Sequence, residues 1–173
     1  MYYIVLDLEW NQCPIGQRGE DPKLPFEIIE IGAVKLDAKF NIVDQYSSII
    51  KPRIYKKLHS KIREILNYDE SNLRKGRPFD MVFREFKKWC GKEEYFFCTW
   101  GPLDLICLQQ NMDYYHMYGF STPLKFYNIQ SVYSLKNYSN KTTCLSLEKA
   151  TSELGIESEL SFHSAINDAI YTA

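Results

Sequence analysis

The chain has 173 residues, of which 45% are hydrophobic and 25% charged. This balance predicts one globular domain over 1–173 and argues against a disordered chain. There is no apolar run long enough to cross a membrane, and the first residues lack the basic stretch and cleavage site of a secretion signal. The five cysteines are widely spaced without a Cys-x-x-Cys pair, which argues against zinc knuckles and predicts reduced thiols in a cytoplasmic protein.

The net charge of −1 is unevenly distributed along the chain. The segment 51–92 holds thirteen basic and five acidic residues, an excess of +8, so the rest of the chain carries −9. That division suits a protein with an acidic, metal-holding centre and a basic approach for a polyanion. A solvated helical surface is the alternative explanation of the same charges.

The first third of the chain is predicted to form three strands. Residues 2–9 are apolar enough on both faces to form a central strand. A loop rich in proline and glycine follows over 11–25, before two further strands over 26–37 and 41–52. The short connection between the last two predicts an antiparallel hairpin.

Beyond residue 52 the apolar spacing changes from that of a strand to that of a helix. The predicted helices have an apolar stripe, a proline start or a glycine stop, and they lie over 56–67, 78–90, 102–119, 146–155 and from Ser164 to the end. Shorter strands are predicted over 94–100 and, more weakly, over 125–130. Strands that follow long helical connections favour parallel crossovers, so we expect an α/β fold with a mixed five-stranded sheet flanked by helices.

Two carboxylates stand close together in the first strand, in the stretch YYIVLDLEWN. Asp7 and Glu9 are two residues apart, so a strand directs both side chains to the same face. Like charges at that distance raise a pKa or require a cation. The stretch by itself leaves two explanations open, a metal site and a strand end that emerges into water.

Three further polar residues lie where other predicted elements begin. Asp104 falls in the first turn of a helix, in CTWGPLDL, where the helix dipole alone would favour a carboxylate. His163 precedes Ser164, the expected N-cap of the last helix, and Asp168 lies inside that helix among apolar neighbours. Taken singly, each has an ordinary structural explanation.

Taken together, these residues resemble the DEDDh class of 3′–5′ exonucleases, which have the ribonuclease H-like fold. The likeness rests on the order of Asp-x-Glu, Asp and His-x-x-x-x-Asp, and on the second-strand phrase EIIEIGAV. The phrases DLEW, TWGPLD and HSAINDA are most similar to the Eri-like and KapD-like branch. Two stretches depart from the family pattern and concern substrate contacts: REILNYD stands where a Thr-Gly pair is common, and Pro102-Leu103 replaces an acidic-Trp pair.

The resemblance implies that two divalent cations bind here; Mg²⁺ is the expected ion, and Mn²⁺ could substitute for it. Asp7 would bridge both ions. Glu9 and Asp168 would serve the ion on the nucleophile side, and Asp104 would support the other. His163 would be the general base for the attacking water, since an imidazole with an unperturbed pKa of about 6.5 is neutral near pH 7 and accepts a proton.

Two residues beside the acidic pair are expected to hold the terminal nucleotide. The resemblance implies this role for the backbone of Leu8 and for Trp10, whose ring would stack on a base. A core position is the alternative for Trp10. Trp100 is expected in the core, and Glu30 behind the metal ligands rather than among them. No role is assigned to the two remaining histidines, His59 and His116.

The implied activity is the release of nucleoside 5′-monophosphates from the 3′ end of single-stranded nucleic acid. The likeness to the Eri-like branch favours RNA over DNA. A proofreading-type DNA exonuclease is the nearest alternative within the class, and a non-catalytic nucleic-acid-binding module on the same fold is the alternative outside it. A haloacid-dehalogenase-type phosphatase is disfavoured, because Glu9 and Trp10 stand where that family needs Asp followed by Thr or Val.

The last predicted helix is short, with only ten residues from Ser164 to the end. Four apolar residues can pack it on the sheet: Ala165, Ile166, Ala169 and Ile170. Short helices are marginal in water, and this one has no glycine, proline or basic residue in its final turn. We therefore expect the natural chain to continue beyond Ala173 with a longer C-terminal helix.

Overall fold

The computed structural model describes residues 1–66, 70–119, 123, 125–137, 144–157 and 159–173. These residues form a mixed sheet of five strands: β1 (Tyr2–Gln12), β2 (Phe26–Leu36), β3 (Ile42–Ile49), β4 (Tyr95–Thr99) and β5 (Tyr127–Asn128). Their spatial order is β3-β2-β1-β4-β5. The β1–β2 and β2–β3 pairs are antiparallel, whereas β1–β4 and β4–β5 are parallel. The predicted mixed sheet with parallel crossovers is confirmed.

Strand β1 forms the centre of the sheet because both of its faces are apolar. On one face, Ile4, Leu6 and Leu8 are buried in the main core. On the other face, Val5 is buried in a second, smaller core. The strand continues to Gln12, three residues beyond its predicted end.

Helices cover both faces of the sheet: α1 (Ser60–Leu66), α2 (Glu70–Arg74), α3 (Phe79–Cys90), α4 (Leu103–Tyr114), α5 (Ile129–Asn137), α6 (Leu147–Glu153) and α7 (Ala165–Thr172). Helices α3 and α4 contribute buried side chains to the main core, and α7 contributes Ala169 to the smaller one. A single 3-10 turn, Gly16–Gly19, lies within the predicted loop over 11–25. Strand β1 is therefore enclosed between α3 and α4 on one side and α7 on the other.

The helix predicted over 56–67 begins only at Ser60, and its last predicted residue lies outside the described residues. The side-chain amide of Asn11 donates to the carbonyls of Tyr55 and Lys57, at 2.8 and 2.9 Å. Because these carbonyls are bound to a side chain of β1, the segment before Ser60 stays irregular.

The sequence does not predict α2 or α5. Helix α2 has only five residues. Helix α5 has apolar residues at helical spacing, Ile129, Val132 and Tyr133, but none of them is fully buried, and the strand predicted over 125–130 overlaps its start. The Asn128 side chain accepts the N–H of Ser131 at 3.0 Å, which satisfies a donor in the first turn of α5. The strand predicted over 125–130 is accordingly reduced to Tyr127–Asn128.

The remaining helices follow the prediction with changed ends. Helix α4 ends at Tyr114, five residues early, since His116 adopts a left-handed backbone with φ of 55°. Ser146 caps α6 as expected and accepts the N–H of Lys149 at 3.4 Å. Ser164 occupies the N-cap position of α7, but its side chain makes no capping hydrogen bond.

Within the described part of the chain, no helix has the length and apolar character that a membrane span requires. All five cysteines are free thiols, and four of them are buried.

Candidate active site

The site lies on the face of β1 that contacts α7. Because side chains alternate along a strand, Asp7 and Glu9 both point to this face. Asp168 projects from α7 toward the same place. One carboxylate oxygen from each of the three lies within 4.8 Å of the others. The structure therefore brings together three of the acidic residues that the sequence singled out.

A glycine allows α7 to approach the sheet this closely. Gly32 of β2 lies directly opposite Asp7 in the register of the two strands. A Cβ at this position would lie 2.1 Å from backbone atoms of Ala165 and Ile166, in the first turn of α7. Only a hydrogen atom fits there, so Gly32 determines how near Asp168 comes to β1.

Asp104 reaches β1 from the helix that follows β4. It lies in the first turn of α4 with only 5% of its surface exposed, and it accepts the backbone N–H of Leu8 at 3.1 Å. Leu8 stands between Asp7 and Glu9 in the chain, so this bond joins the fourth carboxylate to the strand that carries the first two. All four carboxylates line one cavity.

Burial and crowding raise the pKa of each carboxylate. The pKa of Asp7 lies well above the ordinary range; burial is the largest cause, followed by repulsion from Asp104 and Glu9. Burial, followed by repulsion from Asp168 and then Glu30, raises the pKa of Glu9 to about 8. Burial also raises the pKa of Asp104 to about 7 and that of Asp168 to about 6. The group holds more negative charge than its surroundings stabilise.

This donor set fits a divalent cation. Carboxylate oxygens are the ligands that Mg²⁺ and Mn²⁺ prefer in proteins. Among the described residues, Oδ1 of Asp168 is buried without a hydrogen-bond partner. A cation between the carboxylates would bind such an oxygen and would remove the repulsion that raises the pKa values.

His163 lies beside the carboxylates, one residue before the N-cap of α7. Its backbone has a φ of 62°, a left-handed conformation that is uncommon outside glycine and asparagine. The backbone N–H donates to Oδ2 of Asp168 at 3.2 Å. The exposed side chain lines the same cavity as the carboxylates, so the structure brings the predicted histidine to the acidic group.

The segment that carries His163 is held by α7 itself. The hydroxyl of Tyr171 donates to the carbonyl of Leu160 and accepts its N–H, both at 2.8 Å. The amide of Asn167 donates to the carbonyl of Ser161 at 2.8 Å. Helix α7 therefore supplies one carboxylate and also positions the loop of the histidine.

The cavity has a volume of about 340 Å³. Leu8 and Trp10, which the resemblance assigns to the terminal nucleotide, both line it. Leu8 is buried, whereas Trp10 is half-buried and packs against Phe26 at a ring-centroid distance of 5.9 Å. Trp10 thus combines a core contact with an accessible side.

The prediction of a core position for Trp100 is wrong. Its side chain is partly exposed and lines the cavity, and its Nε1–H donates to the carbonyl of Leu145 at 3.0 Å. Gln130, which the sequence did not single out, lines the same cavity and donates to the same carbonyl at 2.8 Å. Helix α5 helps to place both side chains, because it carries Gln130 and packs Tyr133 against the Trp100 ring.

The other residues named from the sequence lie at the edge of the cavity or outside it. Pro102 and Leu103 line it where the branch pattern has an acidic-Trp pair, and Leu103 leaves 56% of its surface exposed. Glu30 is buried opposite Glu9 in the strand register and does not line the cavity. Two histidines also lie outside it, His59 and His116.

A family model described as Exonuclease (RNase_T) matches residues 4–173. The chain belongs to this exonuclease family. This exonuclease is 27% identical over 168 residues to the probable 3′-5′ exonuclease KapD of Bacillus subtilis (strain 168). That match covers 96% of this chain and 78% of KapD.

Solved structures share the fold of this exonuclease. The nuclease domain of 3′hExo, a DEDDh family member bound to rAMP, has a TM-score of 0.82 at 20% identity, covering 98% of this chain and 86% of that one. Cell-death related nuclease 4 has a TM-score of 0.81 at 17% identity, covering 98% and 60%. Exonuclease I of E. coli in complex with a dA16 oligonucleotide has a TM-score of 0.71 at 12% identity, covering 99% and 39%. The comparisons confirm the ribonuclease H-like fold and the DEDDh resemblance, and they support 3′–5′ exonuclease activity.

Proposed function

We propose that this exonuclease removes nucleoside 5′-monophosphates one at a time from the 3′ end of single-stranded nucleic acid, RNA in preference to DNA. Its cofactor would be two Mg²⁺ ions, with Mn²⁺ as a substitute. The observation that carries the proposal is the convergence of Asp7, Glu9 and Asp168 within 4.8 Å. Asp104 joins them through its bond to the N–H of Leu8.

When bound, the cations lower the pKa of a water molecule and neutralise charge on the scissile phosphodiester. Asp7 would be the ligand shared by both cations; after burial, repulsion from Asp104 and Glu9 is the main cause of its raised pKa. Glu9 and Asp168 would hold the cation on the side of the attacking water, and Asp104 the other. The fifth acidic residue, Glu30, stays behind this group.

The general base in this proposal is His163. Its exposed side chain reaches solvent, and a neutral imidazole near pH 7 can take a proton from the attacking water. The water oxygen would then bond to phosphorus while the bond from phosphorus to the 3′ oxygen of the preceding nucleotide breaks, and that 3′ oxygen would take a proton from solvent. Asp168 positions the base through the backbone N–H of His163.

The cavity offers room and aromatic surface for a terminal nucleotide. A volume of about 340 Å³ lies at the lower end of the range for small-ligand sites. Trp10 and Trp100 both line it, so aromatic rings are available to the terminal base. Stacking of this kind contributes about 1–3 kcal/mol per base and tolerates any sequence.

The proposal is tested with 5′-labelled RNA and DNA oligonucleotides of one sequence, incubated with Mg²⁺, Mn²⁺ or EDTA. We expect a ladder that shortens by one nucleotide at a time, faster on RNA, with no cleavage in EDTA. The variant Asp7→Asn should bind nucleic acid without degrading it. Internal cuts or cleavage in EDTA would contradict the proposal, binding without turnover by the unaltered chain would identify a non-catalytic module, and faster cleavage of DNA would favour a proofreading-type enzyme.

A further inference from the structure

The irregular segment before α1 is held by a buried carboxylate. Glu27 of β2 leaves only 1% of its surface exposed. Its two oxygens accept the backbone N–H groups of the successive residues 53–55, at distances between 2.6 and 3.1 Å. Three consecutive peptide groups are thus bound to one side chain of the sheet.

A second buried polar side chain holds the next part of the segment. Asn11 is fully buried, and its amide donates to the carbonyls of Tyr55 and Lys57. Its Oδ1 accepts the N–H of His59 at 3.0 Å. Asn11 lies on β1 two residues after Glu9, about 7 Å along the strand. The position of the segment is therefore fixed relative to the carboxylates.

Four exposed cations project from this held segment: Lys51, Arg53, Lys56 and Lys57. We call the residues 51–57 the cationic segment. Pro52, Tyr55 and the following Leu58 are buried, so every third residue faces inward and the charges between them face outward. Among the described residues none of the four cations forms an ion pair. Their side chains line two adjoining cavities that share Lys56.

We infer that the cationic segment binds the phosphates of the substrate strand on the 5′ side of its terminal nucleotide. The inference rests on the proposed function, since it requires a nucleic acid whose 3′ end lies among the carboxylates. The acidic centre repels such a strand until cations compensate its charge, and fixed cations nearby attract it. Because the backbone is ordered before the substrate arrives, binding does not have to order it.

The test removes two charges from this segment and, as a matched control, two from elsewhere. The double variant Lys56→Gln, Lys57→Gln changes exposed side chains and leaves both buried anchors in place. The control, Lys88→Gln with Lys92→Gln, changes exposed side chains near the start of β4. That strand pairs with the beginning of β1, at the opposite end from the carboxylates.

Binding is measured by fluorescence anisotropy in the inactive Asp7→Asn background, with a ten-nucleotide strand and a dinucleotide, between 50 and 200 mM salt. Each lost phosphate contact should lower the slope of log affinity against log salt by about 0.7. For the Lys56, Lys57 variant on the ten-nucleotide strand, this slope should therefore be smaller by about 1.4. Between 50 and 200 mM salt, the affinity of the variant should then fall by a factor roughly seven times smaller than that of the unaltered chain. The dinucleotide should respond less, and the control pair should keep the original slope.

An equal response of both substrate lengths, or the same response in the control pair, would overturn the inference. Cleavage of the dinucleotide by the unaltered chain in Mg²⁺ reports separately on the proposed function. Absence of any metal-dependent cleavage refutes the proposed function, whereas normal cleavage with an unchanged salt slope in the Lys56, Lys57 variant refutes only the role of the cationic segment.

Discussion

The substitution Gly32→Ala should impair the proposed metal site without altering any carboxylate. The added Cβ would lie 2.1 Å from the backbone of Ala165 and Ile166, whereas ordinary contacts begin at 3.4 Å. The first turn of α7 must therefore retreat by about 1.3 Å, the difference between these two distances. Asp168 moves with that turn, and metal–ligand distances tolerate deviations of only about 0.2 Å.

The effect on metal binding should exceed the effect on folding. Overpacking of this kind costs about 1–3 kcal/mol of the free energy of unfolding. Loss of a hydrogen-bond partner behind a ligand already weakens metal binding by about 10–100-fold, so displacement of Asp168, a ligand in the proposed site, should weaken Mn²⁺ binding at least that much.

Titration calorimetry with Mn²⁺ and thermal unfolding in EDTA separate these two effects. Gly91→Ala is the matched control, because Gly91 has a φ of 89° that strains an alanine, while the added Cβ would meet no atom within 4 Å beyond its adjoining residues. It should lower the melting temperature and leave Mn²⁺ affinity unchanged. A folded Gly32→Ala variant that binds Mn²⁺ as tightly as the unaltered chain would refute the reasoning.

Three further outcomes are expected. His163→Asn, which suits the left-handed backbone, should lower kcat by about 100-fold or more and spare Mn²⁺ affinity in calorimetry; an unchanged rate from pH 6 to 9 would exclude the histidine as the base. In EDTA the melting temperature should fall between pH 5 and 8, because the folded chain keeps protons on Glu9 (pKa about 8), Asp104 (about 7) and Asp168 (about 6) that the unfolded chain releases near pH 4. Saturating Mn²⁺ should remove this decline, and a metal-free protein that grows more stable over the same range would contradict it. Trp100→Ala should raise KM by about tenfold through lost stacking, with Mn²⁺ affinity retained; an unchanged KM would return Trp100 to a structural role.

Local patterns predict the elements whose burial is regular. Strand β1 is apolar on both faces, and α3 buries Phe79, Val82, Phe83 and Phe86 along one side, so period and length identify both. The residues of the candidate site could be singled out for a related reason. Asp7, Glu9, Asp104 and Asp168 lie on elements of this kind, and they occur in the order that the exonuclease family shares.

Contacts between distant residues are what local patterns do not predict. Glu27 and Asn11 occur as isolated polar residues in strands, and nothing near them in the chain indicates the backbone groups that they bind 26 to 48 residues away. Trp100 and Gln130 meet at the carbonyl of Leu145, 45 and 15 residues distant. Helix α5, which forms that wall, buries no residue completely, so its apolar residues do not show which side faces the cavity.

The dual role of α7 has a consequence for how the candidate active site is lost when the chain opens locally. A helix of eight residues carries Asp168 and, through Tyr171 and Asn167, secures the loop of His163. Short elements open locally at a lower free energy than the whole domain, and one such opening would remove a carboxylate and the histidine together. Repulsion among the carboxylates favours that opening, and a cation bound between them opposes it. In the proposed enzyme a bound cation would therefore also stabilise the packing of α7 on the sheet. The site would then form or be lost as one unit, while the sheet stays folded.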